Sequence, residues 1–275
     1  MSPHLRVGLT LPSFRDEIDP LLDVATAAER AGLDAVFAYD HLFRYGAAGE
    51  VRPALELAPV LGALAAATDT IAIGSLVARA TLRPPAVLAN VFDSARRIAG
   101  DRVIAGIGAG DEESRDEMET FGYEFGSMES RLAELDAAVD AVGARDIPVW
   151  VGGNPKYVAE PVVRAGAWNR WGTAVDRFAE ECRTIEALAA ERGAAPVLAT
   201  WGGLCVLAST DAGAAEKAGR LGASKRTLVG SPATVATALR AYGEAGAGWV
   251  VLGPIDSSDP VNAGLLGEVR ERLAG

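Results

Sequence analysis

Eight short runs of apolar and β-branched residues recur along the chain, and longer helical runs separate them. This alternation predicts parallel β-α-β units, because a helix is the usual crossover between parallel strands. Eight strands favour an α/β fold of the (β/α)8 TIM-barrel type over an open doubly wound sheet. The predicted strands are 5–9, 35–38, 70–76, 103–107, 149–151, 167–171, 197–207 and 248–252.

The helical runs carry signals of their own. From Leu57 to Leu64, apolar residues recur at i, i+3, i+4 and i+7, which is the stripe of an amphipathic helix. Asp19-Pro20 and Ser231-Pro232 each predict an N-cap followed by proline at the first helical position. Polar residues interrupt the apolar stretch 55–78, which is therefore predicted as helix, turn and strand and not as a membrane span.

An open Rossmann-type sheet is the alternative fold. Its phosphate-binding turn, Gly-x-Gly-x-x-Gly, is missing after the first strand, where the sequence reads Leu11-Pro12-Ser13. We therefore expect residues 1–275 to form a single barrel domain, a length that is ordinary for that fold. The acidic stretch 108–126 is predicted as an enlarged loop after the fourth strand.

The net charge of −11 bears on the partners. It argues against nucleic acid and against an anionic membrane, because both repel an acidic protein. The segment 1–10 lacks the basic start and apolar run of a signal peptide. The two cysteines, Cys182 and Cys205, have no metal-ligand spacing. We expect a cytoplasmic protein that acts on a small molecule.

Active sites of such barrels lie at the carboxyl ends of the strands, so the residues after each strand are the candidates. Asp40 and His41 follow the second strand. The other histidine in the sequence is His4, near the N-terminus. Histidine titrates near neutral pH, and a neighbouring carboxylate can orient it. The plainer interpretation is a polar strand end with a satisfied histidine.

Two glycine-rich strand ends are further candidates. The fourth strand runs into 106–113, where alternate glycines would let a flat or phosphorylated ligand approach the backbone and acidic residues follow. The fifth strand is followed by Gly152, Gly153 and Asn154, and the helix after them would point its N-terminus at an anion. Both segments also suit ordinary tight turns.

The sixth strand ends near Trp168 and Trp171. Residues three apart on a regular strand face opposite sides, so the two indoles cannot both face inward from the strand. We therefore expect one of them to belong to the following loop. An indole at the mouth of a barrel suits a planar ligand, while packing against a helix is the alternative.

Several catalytic motifs are absent from the sequence. It contains no Gly-x-Ser-x-Gly, no His-Glu-x-x-His and no cluster of histidine and cysteine ligands. A metal-dependent hydrolase is therefore disfavoured, no metal is expected, and a ligand that brings its own reactivity is the remaining interpretation.

The combined pattern resembles the luciferase-like monooxygenase family, in particular its branch of coenzyme F420-dependent oxidoreductases. The resemblance covers nearly the whole chain and is carried by the order and spacing of short segments. These are 28–37 running into Asp40-His41, 71–74, 82–89, 100–103 with 106–110, 148–153 and 229–232.

The resemblance implies an F420 site. It implies that Asp40 contacts the deazaflavin, that Arg79 contacts its anionic tail, and that a non-proline cis peptide forms a bulge at Ser75-Leu76 or Leu76-Val77. The other matched cofactor-contacting positions are Ala109, Gly110, Ser114, Gly152, Gly153 and Asn154.

The resemblance also implies a chemistry. His41 would lie by the reactive carbon and handle a proton during hydride transfer, with Asp111, or failing that Glu112, as a second acid or base. Members that oxidise sugar phosphates carry glutamate where Asp111 stands and tryptophan where Tyr45 stands. Their lysines have no obvious counterparts here, so we expect a less charged substrate with a reducible carbon–carbon double bond, imine or carbonyl.

Two other functions share these signals. One is an FMN-dependent monooxygenase on the same barrel, and the other is a non-catalytic protein that binds flavin or deazaflavin. The family resemblance further implies a homodimer.

Overall fold

The computed structural model describes residues 5–46 and 49–275, so His4 lies outside the described residues. The strands are β1 (Arg6–Thr10), β2 (Ala35–Ala38), β3 (Phe43–Tyr45), β4 (Val51–Pro53), β5 (Ala72–Arg79), β6 (Val103–Gly108), β7 (Val149–Gly152), β8 (Ala167–Trp171), β9 (Leu198–Leu207), β10 (Leu228–Gly230) and β11 (Trp249–Pro254). The helices are α1 (Asp19–Arg30), α2 (Leu57–Ala67), α3 (Pro85–Ala99), α4 (Arg115–Thr120), α5 (Met128–Gly143), α6 (Pro155–Ala165), α7 (Val175–Glu191), α8 (Asp211–Leu221), α9 (Pro232–Glu244) and α10 (Val261–Ala274).

The predicted barrel is confirmed. Its strands are parallel and follow the order β1, β2, β5, β6, β7, β8, β9 and β11, and pairing of β11 with β1 closes the ring. These are the strands expected from the sequence, with ends shifted by no more than three residues. None of the helices within the described ranges is long and apolar enough to cross a membrane.

Three short strands were not predicted. β3 and β4 form an antiparallel hairpin after β2, and β10 pairs with the carboxyl half of β9 outside the barrel. The segment 108–126, predicted as an enlarged loop, contains the helix α4. Leu82, Met118 and Phe125 form a small apolar cluster that packs this segment onto the barrel.

Two local predictions were wrong. Asp19 is the first residue of α1 and makes no side-chain cap, whereas Ser231 caps α9 as predicted by accepting the Thr234 N–H. Trp168 and Trp171 both belong to β8, and neither lies in the loop. Trp168 is fully buried and stacks on Phe178 of α7, while Trp171 faces the barrel interior.

Alternation along the strands divides the core into two layers. On β2, for example, Val36 packs against the helices and Phe37 packs inside the barrel. The interior cluster is built around Phe37, Trp150 and Trp249, whose ring centroids lie 5.3 and 5.2 Å apart in successive pairs. The barrel is therefore a packed core and not a channel, so a ligand must bind above this layer.

Candidate active site

A cavity of about 600 Å³ opens at the carboxyl ends of the barrel strands. Leu76 and Trp171 line it and also pack on the interior cluster, so the aromatic core forms its floor. Phe14 and Tyr157 contribute aromatic surface to its walls. A cavity of this size with mainly apolar walls is typical of sites for cofactor-sized ligands.

Most residues predicted for the site line this one cavity. Those that do are His41, Leu76, Val77, Arg79, Ala109, Gly110, Asp111, Ser114, Gly152, Gly153 and Asn154. Three predicted residues, Asp40, Ser75 and Glu112, do not line it. The strand ends thus converge, as parallel strands require. The direction of each side chain separates the predicted residues that line the cavity from those that do not.

Val77 lies on a bulge of β5, against a glycine of β6 and a glycine of β7. The peptide bond between Leu76 and Val77 is cis, at one of the two predicted positions, and the pairing with β6 shifts register there. A Cβ at Gly108 or at Gly152 would lie 2.6 Å from a methyl group of Val77. The missing side chains therefore make the space that Val77 fills, and together the three residues form one face of the cavity.

His41 lies in a cluster with Glu117 of α4 and Arg79 of β5. Its Nδ1 is 2.8 Å from Oε1 of Glu117 and 2.6 Å from Nη2 of Arg79. Arg79 also donates to the same oxygen of Glu117. His41 is partly exposed to the cavity, whereas Glu117 and Arg79 are buried. The ion pair of Glu117 and Arg79 therefore contacts Nδ1 of His41 and holds the ring in place.

Glu117 accepts hydrogen bonds on both of its oxygens. Oε2 receives the N–H groups of Leu42 and Phe43 at 2.8 and 3.3 Å. Burial raises the pKa of this carboxyl, but the hydrogen bond and the charge interaction with His41, the hydrogen bond from Leu42 and the charge of Arg79 outweigh burial and lower the pKa to about 2. Glu117 is thus a carboxylate across the neutral pH range.

Asp40 is buried and faces away from the cavity. It accepts the Arg79 backbone N–H at 2.9 Å and pairs with Arg83 through two bonds of 2.7 and 3.0 Å. A bidentate guanidinium pair of this kind fixes geometry strongly. Asp40 consequently holds the end of β5 in place, and its carboxylate is occupied by protein donors.

Ser75 and Glu112 also have other partners. The Ser75 hydroxyl donates to the Gly106 carbonyl at 2.7 Å across the β5–β6 pair. Glu112 turns outward and pairs with Arg115 at 2.8 Å in an exposed position. Asp111 does line the cavity, and its carboxylate accepts the Ser114 hydroxyl at 2.9 Å.

Tyr39 and Phe14 form an aromatic wall beside His41. Their ring centroids lie 5.9 Å apart in a stacked arrangement, and Phe14 lies 5.1 Å from the imidazole. Burial raises the pKa of Tyr39, and its hydroxyl donates to Thr10 at 3.0 Å. This wall restricts the space in which His41 can meet a ligand.

A smaller hollow of about 190 Å³ adjoins the cavity at His41. The two spaces share Phe14, Arg44 and Asp111 as well. Tyr45 lines the hollow. A second space therefore adjoins the cavity beside His41 and Asp111.

Sequence reasoning did not single out Glu117, Arg83 or Arg44 as site residues. Six acidic residues stand between 111 and 119, and no local pattern distinguishes Glu117 from the others. The only available signal for Arg83 was its place in the segment 82–89. Arg44 follows His41 by three residues and lines the cavity rim, but a single exposed arginine carries no pattern.

Metal and thiol chemistry find no support in the described residues. No group of three histidine, cysteine, aspartate or glutamate side chains in this part of the chain is placed to hold a metal ion. Burial raises the pKa of Cys182 to about 12 and also raises that of Cys205, so neither thiol ionises readily.

The fold and site therefore define a (β/α)8 barrel with an apolar cofactor-sized cavity at the carboxyl ends of its strands and a histidine–carboxylate pair at its edge. The model of the luciferase-like monooxygenase family matches residues 2–144. The chain belongs to this family.

Curated relatives include two bacterial F420-dependent glucose-6-phosphate dehydrogenases. The Microbacterium testaceum protein is 33% identical over 158 residues, which are 57% of this chain and 44% of the relative. The Beutenbergia cavernae protein is 34% identical over 149 residues, or 54% and 42% of the two chains. The aligned part thus spans less than half the length of these relatives.

Solved structures share the fold at low sequence identity. An F420-dependent secondary alcohol dehydrogenase in complex with an F420–acetone adduct superposes with a TM-score of 0.84 at 16% identity and full coverage of both chains. A riboflavin lyase with modified FMN and riboflavin gives a TM-score of 0.77 at 17% identity, with coverage of 99% and 92%. The likeness establishes the bacterial-luciferase-like form of the barrel.

Proposed function

We propose that this protein is an oxidoreductase that transfers a hydride between coenzyme F420 and a small organic substrate. The observation that carries the proposal is the convergence, in one cavity, of a glycine-flanked bulge at Val77 with the ionisable groups of His41 and Asp111. A cradle of this kind suits a flat ring system, and the acid and base groups suit proton transfer beside it. Relatives named for F420 support the same cofactor.

The residues present fit such a cofactor. Val77 offers an apolar contact where side chains at Gly108 and Gly152 would intrude, and the Gly110 and Gly153 backbones approach the cavity with positive φ angles. When bound, the deazaflavin supplies a carbon centre that exchanges hydride and resists oxygen. The protein binds and orients it and moves the proton.

His41 is the proposed proton-handling group. It is partly exposed to the cavity and is held at Nδ1, so its position is fixed. Nε2 has one longer contact, 3.4 Å to Nη2 of Arg79, and is the nitrogen proposed to meet a ligand. Asp111 is the proposed second acid or base, and it is favoured over Glu112 because Glu112 is paired outside the cavity.

The substrate is proposed to be less charged than a phosphorylated sugar. No lysine lines the cavity within the described residues, and Arg170 is paired with the buried Glu181 at 2.7 Å. Arg79 also lines the cavity but is paired with Glu117, and Arg44 remains at the rim. An alkene, imine or carbonyl compound, or the corresponding alcohol, suits these surroundings. A cytoplasmic location, expected from the cysteine content and the N-terminal sequence, and a homodimeric state, implied by the family resemblance, are further proposals.

Equilibrium binding to F420 and, separately, to FMN tests the cofactor. Micromolar or tighter binding to F420 with negligible FMN affinity supports the proposal, and a screen of reducible substrates follows. The reverse preference would reassign the protein as an FMN-dependent monooxygenase. Tight binding without reduction or oxidation by any donor would indicate a non-catalytic binding protein.

A further inference from the structure

Two groups of opposite hydrogen-bonding character meet at Nδ1 of His41. Oε1 of Glu117, an acceptor, lies 2.8 Å away, and Nη2 of Arg79, an obligate donor, lies 2.6 Å away. A neutral imidazole nitrogen either donates or accepts, so Nδ1 satisfies only one of these neighbours. Which neighbour it satisfies decides where the single ring proton of His41 resides.

Glu117 is the better-held partner. Its other oxygen accepts the N–H groups of Leu42 and Phe43, so the carboxylate cannot turn away from the ring. Arg79, in contrast, has other acceptors, because it donates to Oε1 of Glu117 and its Nη2 also lies 3.4 Å from Nε2 of the ring. An unprotonated Nδ1 would place its lone pair 2.8 Å from an oxygen of a buried carboxylate, where such repulsion is weakly screened.

We propose that Glu117 is a positioning residue that fixes neutral His41 as the Nδ1–H tautomer and so leaves the lone pair on Nε2. Nε2 is then the nitrogen that takes a proton from a substrate O–H or N–H group and returns it in the reverse direction. The placement of the ring proton depends on this chain alone. The catalytic consequence depends on the proposed function.

The tautomer is measured directly by ¹⁵N NMR of the imidazole. The sequence holds two histidines, so the His4→Gln variant of the full chain leaves His41 as the only signal. At a pH where the spectrum shows a neutral ring, we expect a pyrrole-type shift for Nδ1 and a pyridine-type shift for Nε2. The opposite assignment would overturn the proposal without any further variant.

Glu117→Gln in the same background is the informative change. The N–H groups of Leu42 and Phe43 hold the amide oxygen, so the amide NH₂ turns toward His41. Nδ1 then faces two donors and must accept, and the proton moves to Nε2. Glu117→Ala leaves Arg79 as the donor and gives the same shift. Glu119→Gln, an exposed change on the same helix, is the control and keeps the original tautomer. An unchanged tautomer in the folded Glu117 variants would also overturn the proposal.

Turnover with F420 separates this inference from the proposed function. Glu117→Gln should lower kcat at least tenfold with little change in F420 affinity, whereas Glu119→Gln should not change either quantity. A protein that shows the Nδ1–H tautomer but binds no F420 would refute the proposed function and leave the role of Glu117 at His41 intact. If the NMR result is as expected but kcat of Glu117→Gln is unchanged, Glu117 fixes the tautomer of His41 without contributing to catalysis.

Discussion

Oε1 of Glu117 lies 2.8 Å from Nδ1 of His41, although 76 residues separate the two along the chain. The contact joins α4, within the enlarged loop after β6, to the segment after β2. Leu82, Met118 and Phe125 hold the same loop by apolar packing. The short helix α4 therefore borders the smaller hollow and supplies the carboxylate that contacts His41.

Replacing His41 by alanine should lower turnover by roughly 10²- to 10⁴-fold, the usual contribution of a positioned acid or base. F420 affinity should change little, because most of the cavity surface comes from other residues. Steady-state kinetics and a binding titration measure the two effects. His4→Ala is the matched control, and unchanged turnover in His41→Ala would remove His41 from the mechanism.

Asp111→Asn and Glu112→Gln form a discriminating pair. Asp111 lines the cavity, whereas Glu112 pairs with Arg115 in an exposed position. We expect the first change to lower kcat/KM by about tenfold or more, within the range of acid–base contributions, and the second to leave it unaltered. A comparison of kcat/KM for the two variants shows which residue is the second acid or base. Equal losses of kcat/KM in both variants would contradict the choice of Asp111 over Glu112.

Gly108→Ala should destabilise the protein and weaken cofactor binding. The new methyl group would lie 2.6 Å from Val77, and overpacking of this kind costs about 1 to 3 kcal/mol. The cost should largely disappear in a Val77→Ala background, which removes the clashing methyl group. Urea unfolding of the four proteins in this cycle gives the coupling energy.

Gly62→Ala serves as the control for that cycle, because nothing lies within 4 Å of a Cβ there. It should be neutral or stabilising, since alanine is favoured over glycine inside a helix. Independent, additive effects of Gly108→Ala and Val77→Ala would show that Val77 is not the residue that requires glycine at 108.

The hydrogen bonds to Glu29 predict that part of the free energy of unfolding depends on pH. Its Oε1 accepts the backbone N–H groups of Asp69, Thr70 and Ile71 at 2.9, 2.6 and 3.0 Å. Burial raises the pKa of this carboxyl, but these bonds outweigh burial and lower the pKa from 4.5 to about 2. A lowered folded-state pKa stabilises the protein above pH 4.5, and the stabilisation is lost as the pH falls toward 2.

Glu29→Gln should therefore destabilise the protein at pH 7, with the difference from the parent protein shrinking as the pH falls toward 3. Urea unfolding at several pH values measures this difference. Glu244→Gln, at an exposed position on α9, should show no such trend. A difference that stays constant with pH would refute the ionic origin of the effect.

Trp171 should report ligand binding. It lines the cavity, whereas Trp168 faces α7 and is fully buried. Binding of F420 should quench tryptophan emission in the parent protein and in Trp168→Phe, and much of the quenching should be absent in Trp171→Phe. Equal quenching in both variants would indicate that the ligand binds away from Trp171.

The sequence alone determined the barrel and the positions of its strand ends. Hydrophobic periodicity and turn residues are local properties, so they located β2, β6 and β7 and thereby His41, Asp111 and Gly152. The parallel arrangement then required these residues to meet at one edge, and the cavity contains all three. The resemblance to a known family also located the bulge at Val77.

Only the tertiary structure decided which side chains face one another. The acidic residues between 111 and 119 have the same local chemistry, and the packing of α4 brings Glu117, not Glu112, to His41. Asp40 follows a strand end as a site residue should, yet Arg83 occupies its carboxylate. Such pairings depend on contacts between distant segments, because a side chain's direction is fixed only when its neighbours in space are in place.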